Sequence, residues 1–224
     1  MARWAGEHMQ AHGRRLDLLD VGTWDGVTRK YVELHPGSEH VQYHAVDIYP
    51  HGTEFVYKSQ DWTFHTIDLE TGLPGLKSQS YDLIVCEQVL EHLRNAEGVL
   101  REMYRVLRPG GAMILGVPIF PHGLHLIRKH VVPVTDRLFK VSKIRGHVQS
   151  WSQRTFVQTV RRACPELVIV QKRGFRVTSG GLLRPLEYQR WWWRLNRALG
   201  RAIPSLCIEV QIIARKPAGL GDLK

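Results

Sequence analysis

Short apolar runs alternate with amphipathic stretches along the first half of the chain. Residues 16–21 are largely apolar and stop at a glycine-containing turn, and residues 27–34 then have the spacing of a helix that Pro36 and Gly37 end. Similar apolar runs predict strands at residues 41–46, 63–67, 81–86 and 112–117. Asn95 is placed to cap a helix before the last of these strands. The pattern predicts strands and helices in alternation, which is typical of a parallel, doubly wound α/β sheet.

The second half of the chain has a different pattern. Residues 118–150 form a long segment in which four histidines and six lysines or arginines occur from position 122 onwards, and a segment of that length is typical of a lid or a binding loop. A helix is predicted at residues 152–164, and strands at 167–171 and 207–214. We expect one domain over residues 1–224, with a core at about 16–117, an acceptor or lid segment at about 118–150 and a C-terminal part at about 151–216.

Composition narrows the class of protein. The 224 residues are 43% apolar, enough for one sizeable core, and three distant cysteines indicate neither a disulfide framework nor a structural zinc site. No apolar run approaches the roughly 20 residues that cross a bilayer, and the N-terminus lacks the apolar part of a signal peptide. We therefore expect a cytoplasmic protein. The net charge of +10 is uneven, because residues 1–117 have 11 basic and 16 acidic residues whereas residues 118–224 have 20 and 5.

Carboxylates follow the predicted strands in a regular way. Asp47, Asp68 and Glu87 each come at the end of a strand, and ligands bind at the carboxyl ends of the strands in such sheets. The turn after the first strand contains Gly22 and Gly26, which let a ligand approach the backbone. Together these features predict an adenosine-containing cofactor. The turn lacks the G-x-G-x-x-G spacing of NAD enzymes, so a dinucleotide is the weaker alternative.

At this point the chain resembles a known family, the class I methyltransferases that depend on S-adenosylmethionine (SAM). The resemblance is to the small-molecule kind with a type 11 methyltransferase domain, which includes the ubiquinone and menaquinone biosynthesis enzymes. The motifs that carry it are LDVGTWDG at 19–26, VD at 46–47, IDL at 67–69, YDLIVCEQVLEHL at 81–93 and RVLRPGG at 105–111. It implies a Rossmann-like, mostly parallel sheet of seven strands whose last strand is antiparallel.

The resemblance also implies a set of cofactor contacts. The loop after the first strand would surround the methionine part of SAM, Asp47 would bind the ribose, the segment at 68–69 would meet the adenine, and Glu87 and Gln88 would lie near the sulfonium. Trp24 departs from the family, which usually has glycine there, so its indole either caps the core or walls the pocket. The predicted cofactor residues are Asp20, Gly22, Thr23, Trp24, Gly26, Asp47, Ile48, Asp68, Leu69, Glu87 and Gln88.

The methyl acceptor is less well determined. We expect SAM as cofactor, S-adenosylhomocysteine as product, and transfer to a small-molecule, glycan or lipid-linked acceptor, most simply at oxygen. Candidate bases are His122 and His147, with His125 and His130 nearby, because histidine titrates near neutral pH. Glu87, Glu91 and Asn95 have helical spacing, but a helix surface explains them more simply than metal ligands, so we expect no metal.

Two alternatives stay open. The basic second half would suit an RNA methyltransferase, since basic surface supplies non-specific affinity for phosphates. Against this, the chain lacks the Asn/Asp-Pro-Pro-aromatic signature of base methyltransferases, so we do not expect nucleic acid as the main partner. A methyltransferase-like binding or scaffold protein without turnover is the other alternative.

The helical stretch at residues 190–202 has arginines at steps of four, three and four, with tryptophans and leucines between them. A basic amphipathic helix of this kind lies on anionic membranes, which would make the protein membrane-associated. The alternative is that the tryptophans pack on the sheet or cover the acceptor pocket while the arginines are solvated. No motif constrains the oligomeric state.

Overall fold

Within the part of the chain that the structure describes, seven strands form one sheet. The computed structural model of the protein describes residues 2–24, 26–34, 36–48, 62–120, 148–176, 186 and 188–218. The strands lie in the order β3-β2-β1-β4-β5-β7-β6. Their bounds are β1 Leu16–Val21, β2 Val41–Asp47, β3 Trp62–Thr66, β4 Tyr81–Glu87, β5 Leu107–Pro118, β6 Val168–Phe175 and β7 Glu209–Arg215.

Helices connect these strands. Their bounds are α1 Ala2–His12, α2 Val27–Glu33, α3 Ala96–Val106, α4 Gln153–Ala163 and α5 Arg190–Ala202. Asn95 caps α3 by accepting a hydrogen bond from the Gly98 amide at 3.0 Å, as the sequence predicts. Ser152 and Thr155 form a capping box at the start of α4. The caps fix where both helices begin relative to the strand ends beside them.

The direction of the strands confirms the prediction from the sequence. β1 pairs in parallel with β2 and β4, β2 with β3, and β4 with β5, whereas β7 runs antiparallel between β5 and β6. Six strands therefore share one direction and β7 alone opposes them. As the resemblance implies, the sheet is Rossmann-like, and it places the ends of the six strands β1 to β6 at one edge with the start of β7.

Apolar residues cover both faces of the sheet because alternate residues of a strand point to opposite sides. On one face Leu19 and Val21 join the main core, which α3 and α4 cover. On the other face Leu16 and Leu18 join a smaller cluster. Cys86, Cys164 and Cys207 are buried free thiols. Within the described residues, no helix has the length and apolar character needed to cross a membrane.

β5 differs from the prediction at its start. The sequence predicts a strand at residues 112–117, but β5 begins at Leu107, and its pairing with β4 shifts register between Tyr81 and Leu83. Gly110 has φ +74° and Gly111 approaches the Asp82 carbonyl closely, since a Cβ there would lie 2.9 Å from that oxygen. The glycines therefore form an irregular first part of the strand.

Charged residues form a hydrogen-bonded network at the opposite edge of the sheet. Asp82 accepts two hydrogen bonds of 2.7 Å from the Arg14 guanidinium, one of 2.7 Å from Arg108 and one of 2.9 Å from the Asp17 amide. Arg108 also binds the Asp17 carboxylate at 2.8 Å. This network joins the starts of β1 and β4 to β5, so the edge far from the strand ends has a structural role.

Candidate cofactor site

The loop between β1 and α2 requires glycine at two positions. Gly22 has φ +72°, and its amide donates a hydrogen bond of 2.8 Å to the Val46 carbonyl on β2. A Cβ on Gly22 would lie 2.3 Å from the Val89 side chain, so the loop and the segment after β4 are in close contact. Gly26 has φ +71° and donates to the Thr23 carbonyl before α2 begins. The sequence predicted both glycines but not the contact with Val89.

Asp20 lies beneath this loop. Its side chain is buried, and its carboxylate accepts hydrogen bonds from the Thr23 hydroxyl at 2.8 Å and from the Tyr43 hydroxyl. Burial raises the pKa of Asp20 to about 6, and the hydroxyl donors oppose that shift. Asp20 therefore fixes the loop from below, with Tyr43 as a partner that sequence reasoning missed because the tyrosine resembles any other inward residue of β2.

Asp47 joins the end of β2 to the same loop. Its carboxylate accepts a hydrogen bond of 2.8 Å from the Trp24 amide and one of 2.7 Å from the Ile48 amide. A carboxylate has about four acceptor positions, so two remain for the hydroxyl groups of a ribose. The half-buried carboxylate is thus oriented before any ligand binds.

Trp24 adopts a backbone conformation that favours glycine. Its φ is +47°, and its side chain is 65% exposed. The indole therefore does not cap the core, which removes one of the two interpretations of this residue. The other, that the indole walls the cofactor pocket, stays a prediction.

The remaining predicted contacts lie around the ends of β2 and β3. Ile48 is exposed next to Asp47. Asp68 is exposed and accepts a hydrogen bond of 3.0 Å from the Glu70 amide, whereas the Leu69 side chain packs in the main core. An adenine at this edge would therefore meet the backbone of residue 69 or the side chain of Ile48 rather than the Leu69 side chain.

Glu87 lies in a row that crosses three strands. The pairing of β4 with β5 places Glu87 beside Gly116, and the pairing of β5 with β7 places Gly116 beside Gln211. Because Gly116 has no side chain, Gln211 reaches across it and donates a hydrogen bond of 2.6 Å to the Glu87 carboxylate. Burial, and to a smaller extent the charges of neighbouring acids, raises the pKa of Glu87 to about 7, although the Gln211 bond opposes the shift.

Glu91 is not on a helix surface, in contrast to the expectation from its spacing. It lies in the short 3₁₀ helix Leu90–His92 and is fully buried, and neither carboxylate oxygen has a hydrogen-bond partner within the part of the chain that the structure describes. Its backbone carbonyl accepts hydrogen bonds from the amides of Val148 and Gln149. Burial raises the pKa of its carboxyl. Glu91 therefore adds a second acid with a raised pKa close to Glu87.

The remaining predicted site residues are Gln88 and the candidate bases. Gln88 is exposed, with φ +59°, and its amide donates to the Gly116 carbonyl at 2.9 Å. His122 and His147, the candidate bases, lie outside the described residues, as do His125 and His130. In the described ranges, no group of three potential ligands is arranged to bind a metal ion.

The residues at this edge suit SAM on two grounds. Asp47 is oriented with two acceptor positions left for a ribose, and the acids Asp20 and Glu87 lie near the ends of the neighbouring strands β1 and β4, where they could face a cationic sulfonium. The loop at 22–26, the ends of β2 and β4 and the start of the 3₁₀ helix after β3 thus surround one candidate site.

Comparison with known proteins finds a methyltransferase domain in the part of the chain that contains this edge. Residues 19–115 match the family described as "Methyltransferase domain". Human thiol S-methyltransferase TMT1A is 34% identical over 104 residues, which are 44% of this chain and 41% of that protein. A 37.1 kDa protein in transposon TN4556 of Streptomyces fradiae is 28% identical over 144 residues, 57% of this chain and 40% of that protein. The chain thus spans about two fifths of both relatives.

The fold also resembles solved structures. A SAM-dependent methyltransferase from Mesorhizobium loti superimposes with a TM-score of 0.58 at 16% identity, covering 96% of this chain and 98% of that one. At this identity the likeness shows the fold alone. The family match and the fold agree with each other, since residues 19–115 contain β2, β3 and β4, half of β1 and most of β5.

Proposed function

We propose, from the premise that residues 19–115 form a class I, SAM-dependent methyltransferase domain, that the protein transfers a methyl group from SAM to the oxygen of a small-molecule, glycan or lipid-linked acceptor. The observation that carries the proposal is the geometry of Asp47. Its carboxylate is fixed by the amides of Trp24 and Ile48 at the edge of the sheet where the parallel strands end, which is where open α/β sheets bind their ligands.

The residues of the chain have limited tasks in such a reaction. SAM supplies a methyl group on a sulfonium, which is an activated leaving group. Asp47 would bind the ribose, the loop at 22–26 would surround the methionine part, and Glu87 would offset the positive charge. The rate then depends on orienting the acceptor in line with the methyl group and excluding water. A hydroxyl acceptor must also lose a proton, for which His122 and His147 are the proposed bases.

Calorimetric titration with S-adenosylhomocysteine tests the cofactor site. We expect micromolar binding by the wild type and loss of binding in Asp47→Ala. Because Asp47 also fixes two loop amides, the unfolding temperature of each variant must be measured, and Asp47→Asn, which keeps an acceptor oxygen, should retain part of the affinity. Glu39→Ala, at an exposed position before β2, is the matched control and should bind as the wild type.

The outcomes separate the candidate functions. No binding to the folded wild type would refute the cofactor site and favour the scaffold alternative. Binding without product over a screen of hydroxyl acceptors would refute transfer to oxygen. Methylation of RNA in preference to small molecules would favour the alternative that the basic second half allows.

A further inference from the structure

α5 has three distinct sides. One side faces the protein, where Asn196 and Gly200 are buried. Gly200 lies against β6 so closely that a Cβ there would be 2.1 Å from the Gly174 carbonyl oxygen. This contact fixes the rotation of the helix about its axis, so the positions of the other two sides are determined.

The second side is an exposed apolar stripe. Trp191 is 54% exposed and Leu195 is 43% exposed, and the exposed Ala198 and Ala202 continue the stripe at steps of three and four. Residues at this spacing lie along one face of a helix. Large apolar side chains in this position are therefore available to a partner, since Trp191 is not buried against the sheet.

The third side is basic. Four exposed arginines are spaced by four, three and four residues, and each comes one position before a residue of the apolar stripe. No residue of α5 is acidic. None of the four forms an ion pair with another residue that the structure describes. Trp193 borders the basic side and Tyr188, 82% exposed, precedes the helix. The arginines are Arg190, Arg194, Arg197 and Arg201.

The helix lies near the edge that contains the candidate cofactor site. Gly174 is the next-to-last residue of β6, and its neighbours Phe175 and Arg176 lie beside Glu209 at the start of β7. The ends of β4 and β5 belong to the same edge. Leu206 and Ile208, between the end of α5 and the start of β7, are also exposed apolar residues.

We propose that the exposed surface of α5, formed by its apolar stripe and its four arginines, docks the protein onto an anionic lipid membrane. Tryptophan and leucine beside a row of arginines match the boundary between acyl chains and negative headgroups. The aliphatic positions 195, 198 and 202 favour lipid over nucleic acid, since they offer nothing to phosphates and do not stack on bases. Docking brings the edge of the sheet that contains the candidate cofactor site close to the bilayer.

The consequence for the acceptor rests on the proposed function. If the site transfers methyl groups, a surface that binds membranes next to it selects acceptors that reside in or at the membrane, such as lipid-linked molecules. The docking itself does not need the cofactor, so the two are testable separately.

Sedimentation with vesicles tests the docking. The full chain is mixed with vesicles of phosphatidylcholine alone, or of phosphatidylcholine with phosphatidylserine, at low and high salt. We expect binding to the anionic vesicles only, weakened by salt. Removing Arg194 and Arg197 together as glutamines should weaken binding about 30-fold, because each arginine near such a surface contributes about fivefold. Replacing Trp191 and Trp193 with serine should weaken it at least tenfold.

A matched control removes the same charge elsewhere. Arg154→Gln with Arg161→Gln changes two exposed arginines of α4 and should leave vesicle binding within about twofold, since only the local surface is in contact. Equal loss in both arginine pairs would overturn the proposal in favour of non-specific charge. Absence of binding to anionic vesicles, or tighter binding to single-stranded RNA than to vesicles, would also overturn it. S-adenosylhomocysteine titration of every variant, without vesicles, shows independently whether the cofactor site is intact.

Discussion

Replacement of Gly22 with alanine should disrupt the loop between β1 and α2 for two separable reasons. The backbone at Gly22 has φ +72°, which an L-residue adopts only with strain, and the new Cβ would lie 2.3 Å and 2.9 Å from the two methyl groups of Val89. Methyl groups cannot approach that closely, so either the loop or Val89 must move. Gly75, with φ +80° and open space around its Cβ position, has the strain without the contact.

The backbone strain and the steric contact each have a free-energy cost. The left-handed backbone costs about 1–2 kcal/mol for alanine, and forcing a methyl group into a packed position costs about 1–3 kcal/mol. We therefore expect Gly22→Ala to lower the free energy of unfolding by about 2–5 kcal/mol, against about 1–2 kcal/mol for Gly75→Ala. Adding Val89→Ala to Gly22→Ala makes room for the methyl group and should recover about 1–3 kcal/mol relative to additivity.

Urea unfolding of Gly22→Ala, Val89→Ala, the double variant and Gly75→Ala measures these differences, and titration with S-adenosylhomocysteine follows the site. The variant Gly22→Ala should bind more weakly than the double variant, since the clash displaces the loop. The reasoning is refuted if the two glycine variants are destabilised equally and the coupling between positions 22 and 89 is within error of zero.

The further predictions concern three single side chains. Trp24→Gly should raise the free energy of unfolding by about 1 kcal/mol, because φ +47° suits glycine and the indole is largely exposed; urea unfolding that shows a loss would contradict this. The pKa of Glu87 is raised from 4.5 to about 7, so the free energy of unfolding should fall by about 3 kcal/mol as the pH rises from about 4.5 through 7. Glu87→Gln should remove that pH dependence. Binding of cationic SAM near pH 7 should then release a proton that S-adenosylhomocysteine does not, as calorimetry in buffers of different ionisation enthalpy would show; equal release for both ligands would place Glu87 away from the sulfonium. Burial tends to raise the pKa of Asp82, but hydrogen bonds from Arg14 and Arg108 outweigh it and lower the pKa, so Asp82→Ala should cost about 2–4 kcal/mol at pH 7. That stabilisation is complete above the pKa of Asp82 in the unfolded chain and disappears as the pH falls through the lower pKa of the folded state. The free energies of unfolding of wild type and variant should therefore converge in acid. A difference that stays constant with pH would contradict this account.

The sequence predicted most of the fold because the relevant signals are local. Period-two and period-3.6 apolar patterns gave all seven strands within a few residues, and Asn95 marked the start of α3. The loop at 22–26 and the carboxylates at strand ends were also visible, since a parallel sheet places its strand ends at one edge. The start of β5 was wrong because two glycines that usually end a helix instead form an irregular strand.

What the sequence by itself determined is the order of elements, the class of sheet and the residues available for the cofactor, because each depends on neighbours a few positions away. Tertiary structure decided which of those residues meet. Gln211 binds Glu87 only because two strand registers bring together positions 124 residues apart, and Val89 limits position 22 only because the loops after β1 and β4 touch. The same holds for α5, whose sequence permits several orientations. The contact between Gly200 and Gly174 selects the one that exposes Trp191 and Leu195, since only residues without a Cβ let helix and strand approach so closely.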